Sequence, residues 1–329
     1  MFDIVTSGYM SIDRIIKIKS PLKTGETSII RNADNTKPYY GGCPINVSYL
    51  LAKMGKNPLP ILRVGDDEET KGFLSYLKEA NVSLKGLETI ENESSSNCYL
   101  ISDESHDHVT IFYPGAMDSK YAAEPSDEFF KDAKMALITV GSYQDNKQFY
   151  RKCLEYNLPI VFGTKLDFDA FPEEFLKEII LNSKIIFSNE NERQEILELF
   201  GITKITDLFR MGKTKIIVTT LGEKGSEYFQ YVEGEDGERD NQHQGRLPIY
   251  PVKQVVDSSG AGDAYIAGFL YGYLDGKHTS ACCEMGSVMS SFVIEAVGCT
   301  TGAPSKKDFE GRLKEFKNIV AMDRIREEI

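Results

Sequence analysis

Short apolar runs, separated by polar breaks that contain glycine, recur along most of the chain. Residues 3–9 alternate loosely between apolar and polar and stop at Gly8, which predicts a first strand. Residues 42–54 carry Ile45, Tyr49 and Ala52 near helical spacing, with Pro44 suited to a first turn and Gly55 to a C-terminal cap, and predict a helix. Further strands are predicted at 59–64, 135–140, 158–162, 184–187 and 215–220, and helices at 68–80, 145–156, 173–181 and 190–200. Runs such as Met135 to Val140 are apolar at nearly every position, as in strands covered on both faces. Strand followed by helix, repeated, predicts an α/β fold: a central, mostly parallel sheet flanked by helices on both faces. The last third is helical in character, with apolar stripes at 262–275 and 279–296 and a more charged helix at 306–319.

Two segments break the alternation. Residues 14–40 and 84–113 are strand-like and polar, and they predict a small β lid built from two insertions into a single domain spanning 1–329. Residues 232–246 are acidic and poor in apolar side chains, and predict a solvated hairpin tip.

Composition adds exclusions. Hydrophobic residues make up 41% and charged residues 27%, enough apolar material for a sizeable core. The net charge is −12 and Lys and Arg form no basic stripe, so neither nucleic acid nor an anionic membrane is an expected partner. The cysteines (43, 98, 153, 282, 283 and 299) form no C-x-x-C pair, which fits incidental thiols in a reducing cytoplasm. Met1 to Val5 leads directly into a strand without a signal peptide, and the apolar stretch 264–274 is too short to span a bilayer.

The strongest chemical signal is Asp257-Ser-Ser-Gly-Ala-Gly-Asp263. A strand predicted at 254–256 runs into a turn of small residues and then a helix. Gly260, Ala261 and Gly262 leave backbone N–H groups open to an anion at the helix N-terminus. A phosphoryl group in transit is such an anion. Asp263 beside it could accept the proton of an attacking hydroxyl; it could equally be a first-turn acid that complements the helix dipole. Gly41 and Gly42 before a helix allow close approach of a ligand, and Asn46 offers both donor and acceptor, although a tight turn with a capping residue reads the same way. Asn189 and Glu192 are spaced as a capping pair, or as a polar pair holding water around Mg²⁺. Val218 to Gly225 is a strand, a glycine turn and a second strand, which suits a nucleotide or a plain hairpin. Met211 to Thr214 ends like a phosphate loop but precedes a strand and lacks the first glycine.

Taken together, these motifs resemble the PfkB (ribokinase-like) family of carbohydrate and nucleoside kinases, over nearly the whole chain and in order: Gly8 with Asp13, Gly41-Gly42 with Asn46, Gly65-Asp66, Asn189 with Glu192, Thr220-x-Gly222-x-x-Gly225, and Asp257 to Asp263. The resemblance implies an ATP-dependent kinase, cytoplasmic, with an α/β core and a β lid closing over the acceptor. It implies Asp263 as catalytic base and the N–H groups of 260–262 as anion hole. Asp13, Gly41, Gly42 and Asn46 would bind substrate hydroxyls; Asn189, Thr220, Gly222, Gly225 and Asp257 would lie on the ATP side; and Glu192 would hold Mg²⁺ through water. It also suggests a K⁺ ion near the Asp257 loop. Separately, exposed lid strands can pair between subunits, which allows a homodimer through the lid. The substrate reads first as a small sugar and alternatively as a nucleoside. Phe112 to Met117 and Tyr40 to Cys43 resemble the adenosine-kinase-like branch, whereas Thr139 to Ser142 lacks the sugar-binding glutamate of ribokinases, and Phe162 to Asp167 departs from the common Asp-x-Asn-x-Arg form. A non-catalytic sugar- or nucleotide-binding relative is the reading from another class.

Overall fold

A computed structural model describes residues 1–104, 108–165, 167, 169–232 and 242–327. In chain order the elements are β1 (Ile4–Ser7), β2 (Ser11–Lys17), β3 (Tyr39–Gly41), α1 (Cys43–Lys53), β4 (Pro58–Pro60), β5 (Leu62–Gly65), α2 (Glu68–Glu79), β6 (Leu87–Ile90), β7 (Asn97–Ser102), β8 (His108–Tyr113), α3 (Glu128–Lys131) and β9 (Ala136–Ile138). They continue with α4 (Tyr143–Glu155), β10 (Ile160–Gly163), α5 (Glu173–Asn182), β11 (Ser183–Asn189), α6 (Glu190–Phe200), α7 (Leu208–Met211), β12 (Ile216–Thr220), β13 (Ser226–Tyr231), β14 (Gln242–Leu247), α8 (Ala261–Leu274), α9 (Thr279–Val293) and α10 (Lys306–Glu327).

Eight strands form the central sheet in the order β14-β13-β12-β11-β10-β9-β1-β4. Pairings from β4 to β12 are parallel, and β13 and β14 add antiparallel strands at one edge. Successive residues of each parallel strand enter opposite cores, which is why these strands read as continuous apolar runs. Ile4, Leu137, Val161, Ile185 and Val218 pack with α1, α8, α9 and α10; Val5, Ile138, Phe162, Ile186 and Ile217 pack with α4, α5 and α6. The helix α8 is buried on nearly all sides. Small residues let it lie close to α9: a side chain at Gly268 would overlap the Met285 carbonyl, and one at Gly286 would come within 2.9 Å of the Tyr265 ring.

A separate four-stranded sheet has the order β3-β2-β7-β8, with β2 and β7 parallel and the outer pairs antiparallel. Its strands come from two separate stretches of chain, β2 and β3 and then β7 and β8; the first runs slightly beyond the predicted 14–40 insertion at both ends, at Ser11–Asp13 and Gly41. On β7 and β8 it exposes Tyr99, Val109, Ile111, Phe112 and Tyr113.

Several predicted boundaries are corrected. The run at 59–64 divides between two sheets: β4, with Pro58 and Pro60, sits at the edge of the large sheet, where a missing N–H costs no pairing, and β5 pairs in parallel with β6 instead. The 84–113 insertion therefore contributes to the four-stranded sheet only from Asn97 onward. Residues 254–256 are not a strand. They find no neighbouring strand; the N–H of Val256 donates to the Ile294 carbonyl, and Val255 and Val256 are exposed. Residues 242–246 belong to the polar edge strand β14, whose Gly245 leaves room for the Tyr228 ring. The rest of the predicted acidic hairpin tip, 233–241, lies outside the described residues. Among the described residues no helix is long and apolar enough to cross a membrane, and all six cysteines are free.

Candidate active site

The carboxyl ends of β9, β10, β11 and β12 open onto a 260 Å³ cavity, the usual place for a ligand in a parallel α/β sheet. Thr139, Gly163, Thr164, Lys165, Asn189 and Thr220 come from the strand ends, and the N-terminus of α8 closes the other side with Gly260, Ala261, Gly262 and Asp263. Gly260 caps α8 at φ 74°, a left-handed conformation that favours glycine, and a Cβ there would meet the Cys299 Cβ at 2.7 Å. The Ala261 N–H donates to the Ser258 carbonyl and the Ala264 N–H to that of Gly260. The N–H groups of Gly260, Gly262 and Asp263 have no acceptor among the described residues, so they are free to meet an anion, whereas that of Ala261 is taken.

Asp263 is half-buried and linked to α1: Asn46 Nδ2 donates to Asp263 Oδ2 at 2.7 Å across 217 positions of sequence. Burial raises the Asp263 pKa above the ordinary aspartate value, while the Asn46 amide, the Cys43 thiol and the charge of Lys165 work against that rise. Asn46 itself is 2% exposed, and its Oδ1 is buried without a hydrogen-bond partner. Gly42 stands at φ 97° before α1, where a side chain would overlap the Tyr9 carbonyl; Gly41 lies against Asp13, whose Oδ2 would be 2.5 Å from a Cβ. Asp13 is carried by β2 and is 7% exposed. Burial pushes its pKa to about 6, offset in part by a hydrogen bond from Ser11. Asp13 and Gly41 are thus neighbours within the four-stranded sheet, and Gly42 and Asn46, at the start of α1, lead from there to Asp263; none of the four lines the 260 Å³ cavity itself.

Asn189 and Glu192 form a complete capping box. Asn189 Oδ1 accepts from the Glu192 N–H at 2.9 Å, and Glu192 Oε2 accepts from the Asn189 N–H at 2.8 Å. The structural reading of this pair is therefore realised, yet both residues also line the cavity. Burial raises the Glu192 pKa. Its second carboxylate oxygen makes no hydrogen bond among the described residues, which suits a cation that keeps its water shell. Among the described residues no cluster of three or more His, Cys, Asp or Glu forms a metal cage.

Thr220, Gly222 and Gly225 border a second cavity of 310 Å³, more apolar, walled by Ile249, Tyr250 and Val255. The hairpin joining β12 to β13 thus both turns the chain and lines a pocket. The two cavities share Thr220, Ser258, Ala261 and Gly262, so they adjoin one another. Asp257 does not face either one. Its carboxylate accepts from the N–H groups of Ser259 and Gly298, both at 2.9 Å, and pins the turn before α8. Sequence reasoning missed Cys43, Cys299, Thr164 and Lys165. The departure of 162–167 from the expected motif was the available signal for the last two.

The family model for "pfkB family carbohydrate kinase" matches residues 1–306. The chain belongs to the pfkB family. It is accordingly a phosphotransferase with an alcohol group as acceptor. A nucleoside kinase of Methanocaldococcus jannaschii is 27% identical over 317 residues, covering 96% of this chain and 98% of its own length. The crystal structure of the nucleoside kinase of that organism, described as an archaeal member of the ribokinase family, superposes with a TM-score of 0.82 at 26% identity, over 95% of this chain and 99% of its own. The fold is also that of Burkholderia thailandensis nucleoside kinase in complex with inosine, at TM-score 0.82 and 20% identity, covering 95% and 97% of the two chains.

Proposed function

We propose that this family member transfers the γ-phosphoryl group of ATP to a ribose hydroxyl of a nucleoside, with Asp263 as catalytic base. The observation that carries the reading is the two-sided use of Asn46. Its amide nitrogen donates to Asp263, while its buried amide oxygen has no partner. A substrate hydroxyl donating to that oxygen would stand beside the carboxylate that takes its proton, and Asp13 offers a second acceptor for a neighbouring hydroxyl. As the hydroxyl oxygen bonds to the γ-phosphorus, the bond to the ADP oxygen breaks and the proton passes to Asp263. The N–H groups of Gly262 and Asp263, with Gly260 keeping the turn free of side chains, stabilise the charge on the phosphoryl oxygens.

ATP would lie with its base in the apolar cavity beside Thr220, Gly222 and Gly225 and its phosphates toward α8. Mg²⁺, held through water by Glu192 next to Asn189, would neutralise phosphate charge. Asp257 acts through the turn it pins, and a K⁺ ion near that turn belongs to the same proposal. The four-stranded sheet serves as a lid that excludes water, and its exposed apolar strands support a homodimer. Nucleoside rather than free sugar is favoured by the full-length similarity to the M. jannaschii nucleoside kinase.

ADP release measured over inosine, adenosine, cytidine, guanosine, ribose and fructose tests the substrate. Turnover with a sugar alone would overturn the nucleoside assignment. In the same assay Asp263→Asn should lower kcat by about 10²–10⁴-fold with an unchanged Tm; turnover like that of the wild type would remove Asp263 as base.

A further inference from the structure

The loop that leaves β10 carries Thr164 and Lys165 into the phosphate-side cavity, opposite the N-terminus of α8. Two observations there are unexplained by the site as described. The first is Thr164, 8% exposed, whose Oγ1 has no hydrogen-bond partner. A buried hydroxyl without a partner is destabilising, and sites of this kind are relieved when a ligand atom completes them. The second is Lys165. Among the described residues it is the sole Lys or Arg lining this cavity, and its ammonium makes no ion pair or hydrogen bond there. Lys152, by contrast, is paired with Glu124 and Asp127. Lys165 faces Asp263 and Glu192, two carboxylates that burial has already made costly to ionise, and its charge favours ionisation of both. A polyphosphate entering beside them would add further negative charge to the same space.

We propose that Lys165, with the Thr164 hydroxyl beside it, is the second wall of the phosphate cradle and binds the γ-phosphate of the nucleoside triphosphate. The α8 amides would hold one side of the phosphoryl group, and a flexible ammonium would hold the other and follow it as it moves toward the acceptor. A lysine suits this better than a rigid fork, because the group it must hold changes position during transfer. The proposal rests on the reading of this cavity as the phosphate site, but not on the identity of the acceptor or the base.

The test is binding, without turnover. Dissociation constants for Mg²⁺-AMP-PCP and Mg²⁺-ADP would be measured by calorimetry on the wild type, Lys165→Met, Lys165→Arg and Thr164→Val. Lys165→Met should weaken AMP-PCP by about 10–100-fold and ADP by less than about threefold, the difference being the size of a charge-assisted hydrogen bond. Lys165→Arg should recover most of the loss, and Thr164→Val should weaken AMP-PCP by about fivefold. Each variant should keep its nucleotide-free Tm, since Lys165 is exposed and Thr164 makes no internal hydrogen bond. Equal weakening of both nucleotides, or unchanged AMP-PCP affinity in Lys165→Met, would overturn the proposal. Failure of the acceptor or base assignment would show in the turnover assays and leave these affinities as they are; a wild type that binds neither nucleotide would overturn the reading of the cavity itself.

Discussion

Replacing Asp13 by asparagine removes a carboxylate that the fold holds almost out of water, and the consequence for stability can be worked out. Its folded-state pKa is pushed to about 6 from an ordinary 3.8, with burial the dominant cause. Because the folded value lies above the unfolded one, the native protein holds this proton more tightly. Asp13 therefore favours the native state below about pH 4, and that contribution is lost as pH rises through about 6. At about 1.36 kcal/mol per pH unit, the gap corresponds to a cost of at most about 3 kcal/mol at pH 8. Asparagine keeps the shape and the acceptor for Ser11 without the charge. Ligand-free Asp13→Asn should thus be more stable than the wild type by about 2–3 kcal/mol at pH 8 and by close to zero at pH 4. Urea unfolding at pH 4, 6 and 8 measures both. An equal difference at all three values would assign the effect to packing, and a less stable variant at pH 8 would refute the electrostatic reasoning outright. The same variant should lose substrate affinity, since stability is being given up here for a buried acceptor.

Asn46→Ala removes the donor that lowers the Asp263 pKa, so the acid limb of kcat/KM should move to higher pH; a pH–rate profile with an unmoved limb would uncouple the two residues. Glu192→Gln keeps an oxygen able to accept from the Asn189 N–H, so Tm should stay within about 2 °C while the Mg²⁺ concentration needed for half-maximal rate rises severalfold; loss of Tm without a change in that concentration would leave the residue as a cap alone. Ile111→Asp, on the exposed outer strand β8, should shift sedimentation from dimer to monomer, and a wild type that sediments as a monomer at micromolar concentration would dispose of the lid dimer.

The α/β core was legible because its strands are buried on both faces and its helices carry caps near the predicted positions, as with Asn189 before α6. Motif order gave the family, since Gly42 and Gly260 occupy positive-φ positions where other residues would clash. What was not legible depended on distant partners. Nothing near Val255 in sequence says that no strand lies beside it, so local β propensity misled there. The division between β4 and β5 depends on which strand each meets, and Pro58 and Pro60 were the local hint of an edge. Asp257 stands out in the sequence because it flanks the glycine turn, but the contact that holds its carboxylate, from the Gly298 N–H 41 residues away, cannot be read locally. Lys165 was marked in the sequence only by the departure of 162–167 from the expected motif, and its position matters only once β10 and α8 face one cavity.

The hydrogen bond between Asn46 and Asp263 also bears on how the protein comes to be active. Two helices whose reacting ends lie 217 residues apart must dock before either side chain has its partner. Closing so long a loop costs conformational entropy that local helices and hairpins do not incur, so this contact belongs among the late events of folding. Until it forms, Asp263 is an ordinary solvated carboxylate with neither a raised pKa nor an oriented oxygen. Regain of phosphoryl transfer during refolding should therefore lag behind regain of helix and sheet, making Asp263, the proposed base, a reporter of the last docking step.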